Sequence, residues 1–162
     1  MLLLLVLSLL GMTFAAPTPT EEAATTTTCH ALIEETPWTI TSLTAFDAAP
    51  GYNGSFVTFH FCDVNAGLEL DTDCSRYLPS GSSRSPIDPD TYYPCDSNDV
   101  QFIYAGSSLT IERSYVDDCL GPSPYNSAIA YGTEDTSVVN TTSPTGNTCS
   151  QAEMFVKITE ES

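Results

Sequence analysis

The stretch from Pro37 to Asp63, PWTITSLTAFDAAPGYNGSFVTFHFCD, limits what this chain can become more than any other part of it. Val57, Phe59 and Phe61 recur at period two, which places them on one face of an extended strand. Upstream, Trp38, Ile40, Thr44 and Phe46 are read down one side of a partner arm. Aromatic and β-branched residues of this kind suit a pleated, half-buried surface. Between the arms, Asp47 to Gly54 holds Pro50 and two glycines, which stop the pairing and supply a connection. The expectation is a long β-hairpin. A lone hairpin is not stable in water, so other strands must cover its apolar face.

The rest of the chain supplies such strands. Gly67 to Cys74 sets Leu68, Leu70, Thr72 and Cys74 against Glu69, Asp71 and Asp73, the alternation of a strand with one solvated, acidic face. Val100 to Ala105 and Leu109 to Tyr115 flank Gly106-Ser107-Ser108 as a second hairpin. Val100, Phe102 and Tyr104 share one of its faces, as do Leu109, Ile111, Arg113 and Tyr115. Ser127 to Gly132 reads as a short strand, Thr133 to Thr148 as a polar, turn-rich connection, and Met154 to Thr159 as a single closing strand. Ser75 to Thr91 is read as a long surface loop in which Arg76 and Arg84 are solvated. Nowhere does a helical period persist for three turns. The fold class is therefore all-β, a single antiparallel β-barrel or β-sandwich domain over residues 29–162, stapled by disulfides.

Met1 to Ala16 is a short leucine-rich run ending in small residues, which reads as a secretory signal peptide cleaved near Ala15 or Ala16. It is shorter than the ~20 residues of a spanning helix and has no basic flank, which argues against an anchor. Residues 17–28, PTPTEEAATTTT, contain no large apolar side chain and are expected to form a flexible Thr/Pro-rich stalk. All six cysteines, Cys29, Cys62, Cys74, Cys95, Cys119 and Cys149, follow the leader, and an even number in an exported chain points to disulfides. No Cys-x-x-Cys or His-x-x-x-His spacing argues for zinc. With 4 Lys+Arg against 21 Asp+Glu, and a formal charge of −17, the chain has the wrong sign for nucleic acid or for an anionic membrane surface. The expected location is secreted and extracellular, where such acidity favours solubility.

Catalytic patterns are sparse. Nucleophilic hydrolysis needs a base against a Ser or Cys, and only His30, near the stalk, and His60, between Phe59 and Phe61, are available. No Gly-x-Ser-x-Gly elbow is present. With so many acids a glycosidase-like carboxylate pair carries no signal. Asp71-x-Asp73 suggests calcium, but calcium needs six or more oxygens on a looped backbone, and alternation puts these two on a wet strand face. Neither a metal nor a cofactor is expected, and a binding protein is favoured over an enzyme. The sequons at Asn53 and Asn140 fall in expected loops and are read as N-glycosylation sites.

Several of these elements occur together in a known order. The Trp-x-Ile start at Trp38, Leu-Thr-Ala-Phe at 43–46, the Phe-x-x-Phe strand at Phe56 ending in an acidic residue, Cys74-Ser75, Tyr93-Pro-Cys95, the Phe102 strand, Leu109-Thr-Ile111 and a late cysteine pair together resemble the fungal secreted proteins related to the major allergen of Alternaria. The resemblance runs from about residue 29 to 159. It implies a β-barrel-like fold and a fungal effector, elicitor or allergen-like protein without catalysis. It also implies a partner that is a host (plant) extracellular protein or a small flavonoid-like ligand. It implies pairing of Cys74 with Cys95 and of Cys119 with Cys149, which leaves Cys29 with Cys62. The namesake instead dimerises through a cysteine at the position of Cys29, so a homodimer is the alternative. Activity is expected on the outer surface and loops, with the Trp38–Phe61 hairpin as support. A second function class is a carbohydrate-binding β-sandwich. It requires aromatic side chains aligned on one outer face, for which Tyr92, Tyr93, Tyr125 and Tyr131 are the candidates.

Overall fold

The two arms of the hairpin do pair, as β1 (Trp38–Ala48) and β2 (Phe56–Asp63), with Ile40 opposite Phe61 and Phe46 opposite Phe56. The structure is a computed structural model that describes residues 29–52, 54–79 and 85–161. The leader, the stalk, Asn53 and the loop tip with Arg84 lie outside the described residues. Eight further strands follow: β3 (Leu70–Tyr77), β4 (Asp88–Pro94), β5 (Val100–Tyr104), β6 (Ser108–Val116), β7 (Ser127–Asp135), β8 (Val139–Ser143), β9 (Gly146–Val156) and β10 (Ile158–Glu161). They form two antiparallel sheets, one ordered β3-β2-β1-β9-β8 and the other β10-β7-β6-β5-β4.

The sheets stack as a sandwich and do not close into a barrel. At the β3/β4 margin they meet only in one isolated bridge, between Cys74 and Cys95, and a barrel would need a continuous ladder there. The inner faces fill the space between the sheets. Trp38, Ile40, Val57, Phe61, Phe102, Leu109, Ile111 and Val156 are fully buried. Phe59 of the first sheet meets Phe102 of the second edge-on, with centroids 4.9 Å apart. Val100, Phe102 and Tyr104, together with Leu109, Ile111, Arg113 and Tyr115, all face inward as the alternation predicts.

The loop expected over Ser75 to Thr91 is shorter, since β3 runs to Tyr77 and β4 begins at Asp88, and three further local readings change. First, Trp38 and Ile40 do not share a face with Thr44 and Phe46. The β1–β2 register shifts between Thr41 and Thr44, with Ser42 at φ 58°, so that Leu43 and Ala45 continue the buried face. The extra residue is a β-bulge, which turns the following side chains over. Thr44 and Phe46 thus move to the outside. Second, the connection over Thr133 to Thr148 is ordered: β7 runs on to Asp135, and β8 and β9 make a hairpin that returns to the first sheet, where β9 lies antiparallel to β1. Third, the closing strand is two strands. β9 ends at Val156 in one sheet and β10 begins at Ile158 in the other, passing so close to Gly132 that a Cβ there would lie 2.7 Å from the Lys157 carbonyl and 3.2 Å from the Trp38 ring. Gly132 is thereby required by a close approach of backbone.

The cysteines pair as Cys74–Cys95 and Cys29–Cys119, and Cys62 and Cys149 are free thiols. Only the first bond agrees with the pairing the resemblance implies. Cys149 lies on β9 opposite the buried Ala45, and its thiol donates to Asn140 Oδ1 at 2.8 Å. Cys119 lies beyond the end of β6, where the segment before β1 crosses: Asp117 accepts the Leu32 and Cys119 amides. That crossing brings Cys29 to Cys119. Cys62 lies opposite Thr39 and Asp71 and points out of the first sheet, away from both. A dimer bonded through Cys29 is incompatible with the Cys29–Cys119 bond.

Candidate functional site

The bulge in β1 shapes the outer face of the β3-β2-β1-β9-β8 sheet. Register aligns its outward side chains in rows across the strands. One row reads Asp73, His60, Thr41, Glu153, a second Asp71, Cys62, Thr39, Phe155, and a third Ser75, Thr58, Thr44, Ser150. A fourth reads Tyr77, Phe56, Phe46, Thr148. An open cleft of about 450 Å³ lies among Ser42, Thr58, His60, Asp73, Ser75 and Tyr77.

His60 sits at one side of this cleft with both ring nitrogens engaged. Nδ1 is 2.8 Å from Asp73 Oδ1 and Nε2 is 3.0 Å from Asp71 Oδ1. The solvated acidic face of β3 expected from alternation is present, and it brackets a histidine on the neighbouring strand. Hydrogen bonding to Asp73, and then to Asp71, outweighs partial burial and raises the imidazole pKa above its ordinary value. A triad histidine needs one nitrogen for the nucleophile and one for the orienting acid. Here two carboxylates engage both, and the ring ties β2 to β3. Among the described residues, no group of three or more His, Cys, Asp or Glu side chains is arranged to hold a metal ion.

Phe46, Phe56 and Tyr77 form an outward ladder, with ring centroids 5.8 and 5.7 Å apart and both pairs inclined by 36°. Tyr77 is 67% exposed. The four tyrosines considered for such a row are not aligned. Tyr93 turns under Arg76, whose guanidinium lies 4.0 Å from its ring centre, and its hydroxyl donates to Asp88 Oδ2 at 2.7 Å. Tyr92 and Tyr131 lie near Glu112 of the other sheet, and burial, followed by Glu112 and Tyr131, raises the Tyr92 pKa. Tyr125 stands in the turn after Pro124. The period-two pattern of β2 already placed Phe56 opposite to Val57 and Phe59, but the bulge concealed Phe46.

Of the three basic residues described, Arg76 and Arg113 are withdrawn from the surface and Lys157 is exposed. Arg76 was expected in a solvated loop; it lies in β3 and is held by Asp88 at 3.2 Å and the Pro86 carbonyl at 2.9 Å. Arg113 is buried against Asp63 at 3.6 Å and donates to the Leu68 and Ser114 carbonyls. Lys157 lies at the crossover between β9 and β10. Asn140 is on the exposed edge strand β8 and not in a loop, and Asn53 lies outside the described residues. The chain matches no family model, no curated protein and no solved structure.

Proposed function

We propose that this is a secreted, non-enzymatic fungal protein of effector, elicitor or allergen-like type that binds a host extracellular protein through the outer face of the β3-β2-β1-β9-β8 sheet. The observation that carries the reading is the cleft beside the exposed aromatic ladder, on a rigid sheet with no strand or helix packed over it among the described residues. The filled interior favours recognition at the surface over a small ligand held between the sheets. The engagement of both His60 nitrogens supports a role other than hydrolysis. Two disulfides are compatible with an oxidising, extracellular setting. Among the described residues no helix is long and apolar enough to cross a membrane.

A second reading is favoured by the same ladder: three rings in line on the flat face of a sandwich suit the stacking of successive sugar rings. Applying purified protein to plant tissue, in wild-type and Tyr77→Ala forms, tests the binding face. Loss of response with an unchanged melting temperature is expected, and an intact response would reject the face. Binding of neutral oligosaccharides on a glycan array, without any protein partner, would select the second reading.

A further inference from the structure

We infer that the partner presents a cationic, extended segment to this face, its Lys or Arg side chains meeting Asp71, Asp73 and Glu153 while the ladder holds a basic or apolar side chain against Tyr77 and Phe56. The inference rests on the proposed binding face and adds the chemistry of what docks there.

Charge complementarity supplies the argument. The chain carries −17 overall, and of its described basic residues Arg76 and Arg113 are turned inward onto Asp88 and Asp63, while Lys157 is exposed at the strand crossover. Asp71 and Asp73 are 70% and 74% exposed, and each uses only Oδ1 for His60, leaving Oδ2. Glu153 closes the same row three strands away from Asp73. Three inter-strand steps span about 14 Å, which an extended peptide covers in about four residues. A segment lying across the strands with basic residues at i and i+4 therefore meets both ends of the row.

The ladder adds a surface of the right kind. A guanidinium stacks on an aromatic face, and the stem of a Lys or Arg covers apolar surface while its charge stays solvated. The molecule already shows the first contact between its two sheets, where Arg76 of β3 lies over the Tyr93 ring of β4. Tyr77 offers an equivalent exposed ring on the outer side, next to the cleft.

The test uses the intact secreted protein and a synthetic peptide of about a dozen residues with Arg at i and i+4 in a Gly/Ser/Thr background, against the same peptide with Glu at both positions. Calorimetry or fluorescence anisotropy should detect binding of the Arg peptide alone, weakening as salt rises. Asp71→Asn with Asp73→Asn should weaken it about five- to tenfold, with a fall in melting temperature no larger than that of His60→Asn, and Tyr77→Ala should weaken it as much at unchanged melting temperature. The pair Asp90→Asn with Asp135→Asn removes equal charge from the other sheet and should leave affinity unchanged. No binding, equal weakening by the control pair, or binding of a neutral oligosaccharide in place of the peptide would each overturn the inference. If Tyr77→Ala loses the plant response while the wild-type protein ignores the Arg peptide, the cationic partner is wrong and the face stands. If the response survives both site variants, the face itself is wrong.

Discussion

The surroundings of His60 favour its protonated form. Asp73 and Asp71 face it from β3, Glu153 lies beyond Thr41 in the same row, and Cys62 is two residues along. Because its folded pKa is raised, the stability it supplies is fully present below the ordinary value of 6.5 and is lost as pH rises through the folded value. The pair is partly exposed, so the effect is small, under about 1 kcal/mol. NMR titration should place the His60 midpoint above 6.5, and Asp73→Asn should lower it. His60→Asn should remove the associated pH dependence of the melting temperature without abolishing the fold. Asp63 and Arg113 behave differently, since their side chains are 0% and 6% exposed. Removing one member of a buried pair strands the other, at a cost of about 3–5 kcal/mol. Asp63→Ala should therefore lower the denaturant midpoint far more than His60→Asn does, and a shift no larger than that of His60→Asn would refute the assignment.

β1 is the strand on which the packing depends. It pairs with β2 on one side and β9 on the other, and Trp38 at its start is fully buried and 5.7 Å from the Phe61 ring. Trp38→Ala should cost about 3–5 kcal/mol, a large share of a domain's total, and sharply reduce secreted yield or melting temperature. Where β9 meets the end of β1, Gly146 adopts φ 153°, and a Cβ there would run into the Asp47 carbonyl and the Phe46 ring. Gly146→Val should consequently destabilise and displace Phe46 from the ladder; measured stability equal to wild type would contradict the close approach. On the edge strand β8, every side chain is exposed and Asn140 begins a sequon. A glycan there would block edge-to-edge pairing with another sheet, the hazard of an open edge.

Two covalent ties hold the ends of the sandwich. Cys74–Cys95 closes a separation of 21 residues across one margin, and Cys29–Cys119 closes 90 and fastens the segment before β1 to the end of β6. In the chain-entropy account these contribute roughly 3 and 4.5 kcal/mol. Non-reducing peptide mapping should find these two links and two free thiols at Cys62 and Cys149; a Cys119–Cys149 peptide would reject the arrangement. The free thiols cannot bond to each other within the chain, because Cys62 points outward from the sheet and Cys149 faces inward. Burial, with Cys149 nearby, pushes the Tyr104 phenol up to about 12. Its titration, followed by ultraviolet absorbance, should be delayed beyond the other tyrosines until alkaline unfolding releases it.

Alternation along the strands was enough to read the all-β class, both hairpins, the inward set Val57, Phe59, Phe61, Val100, Phe102, Leu109 and Ile111, and the wet acidic face of β3. Each of these follows from short-range geometry: in a strand, the face a side chain occupies is determined by its neighbours two residues away. Where a residue's place depends on distant chain, alternation carries no signal. One extra residue at Ser42 leaves no compositional trace, yet it turned Phe46 outward and made the ladder. Gly132 looked like the end of a strand because nothing near it in sequence tells of the β9–β10 crossover that requires it. The partners of six cysteines, the capture of His60 by Asp71 and Asp73, and the withdrawal of Arg76 and Arg113 from solvent are likewise contacts between strands. Sequence order does not encode which strands become neighbours, or which faces meet, until the two sheets pack.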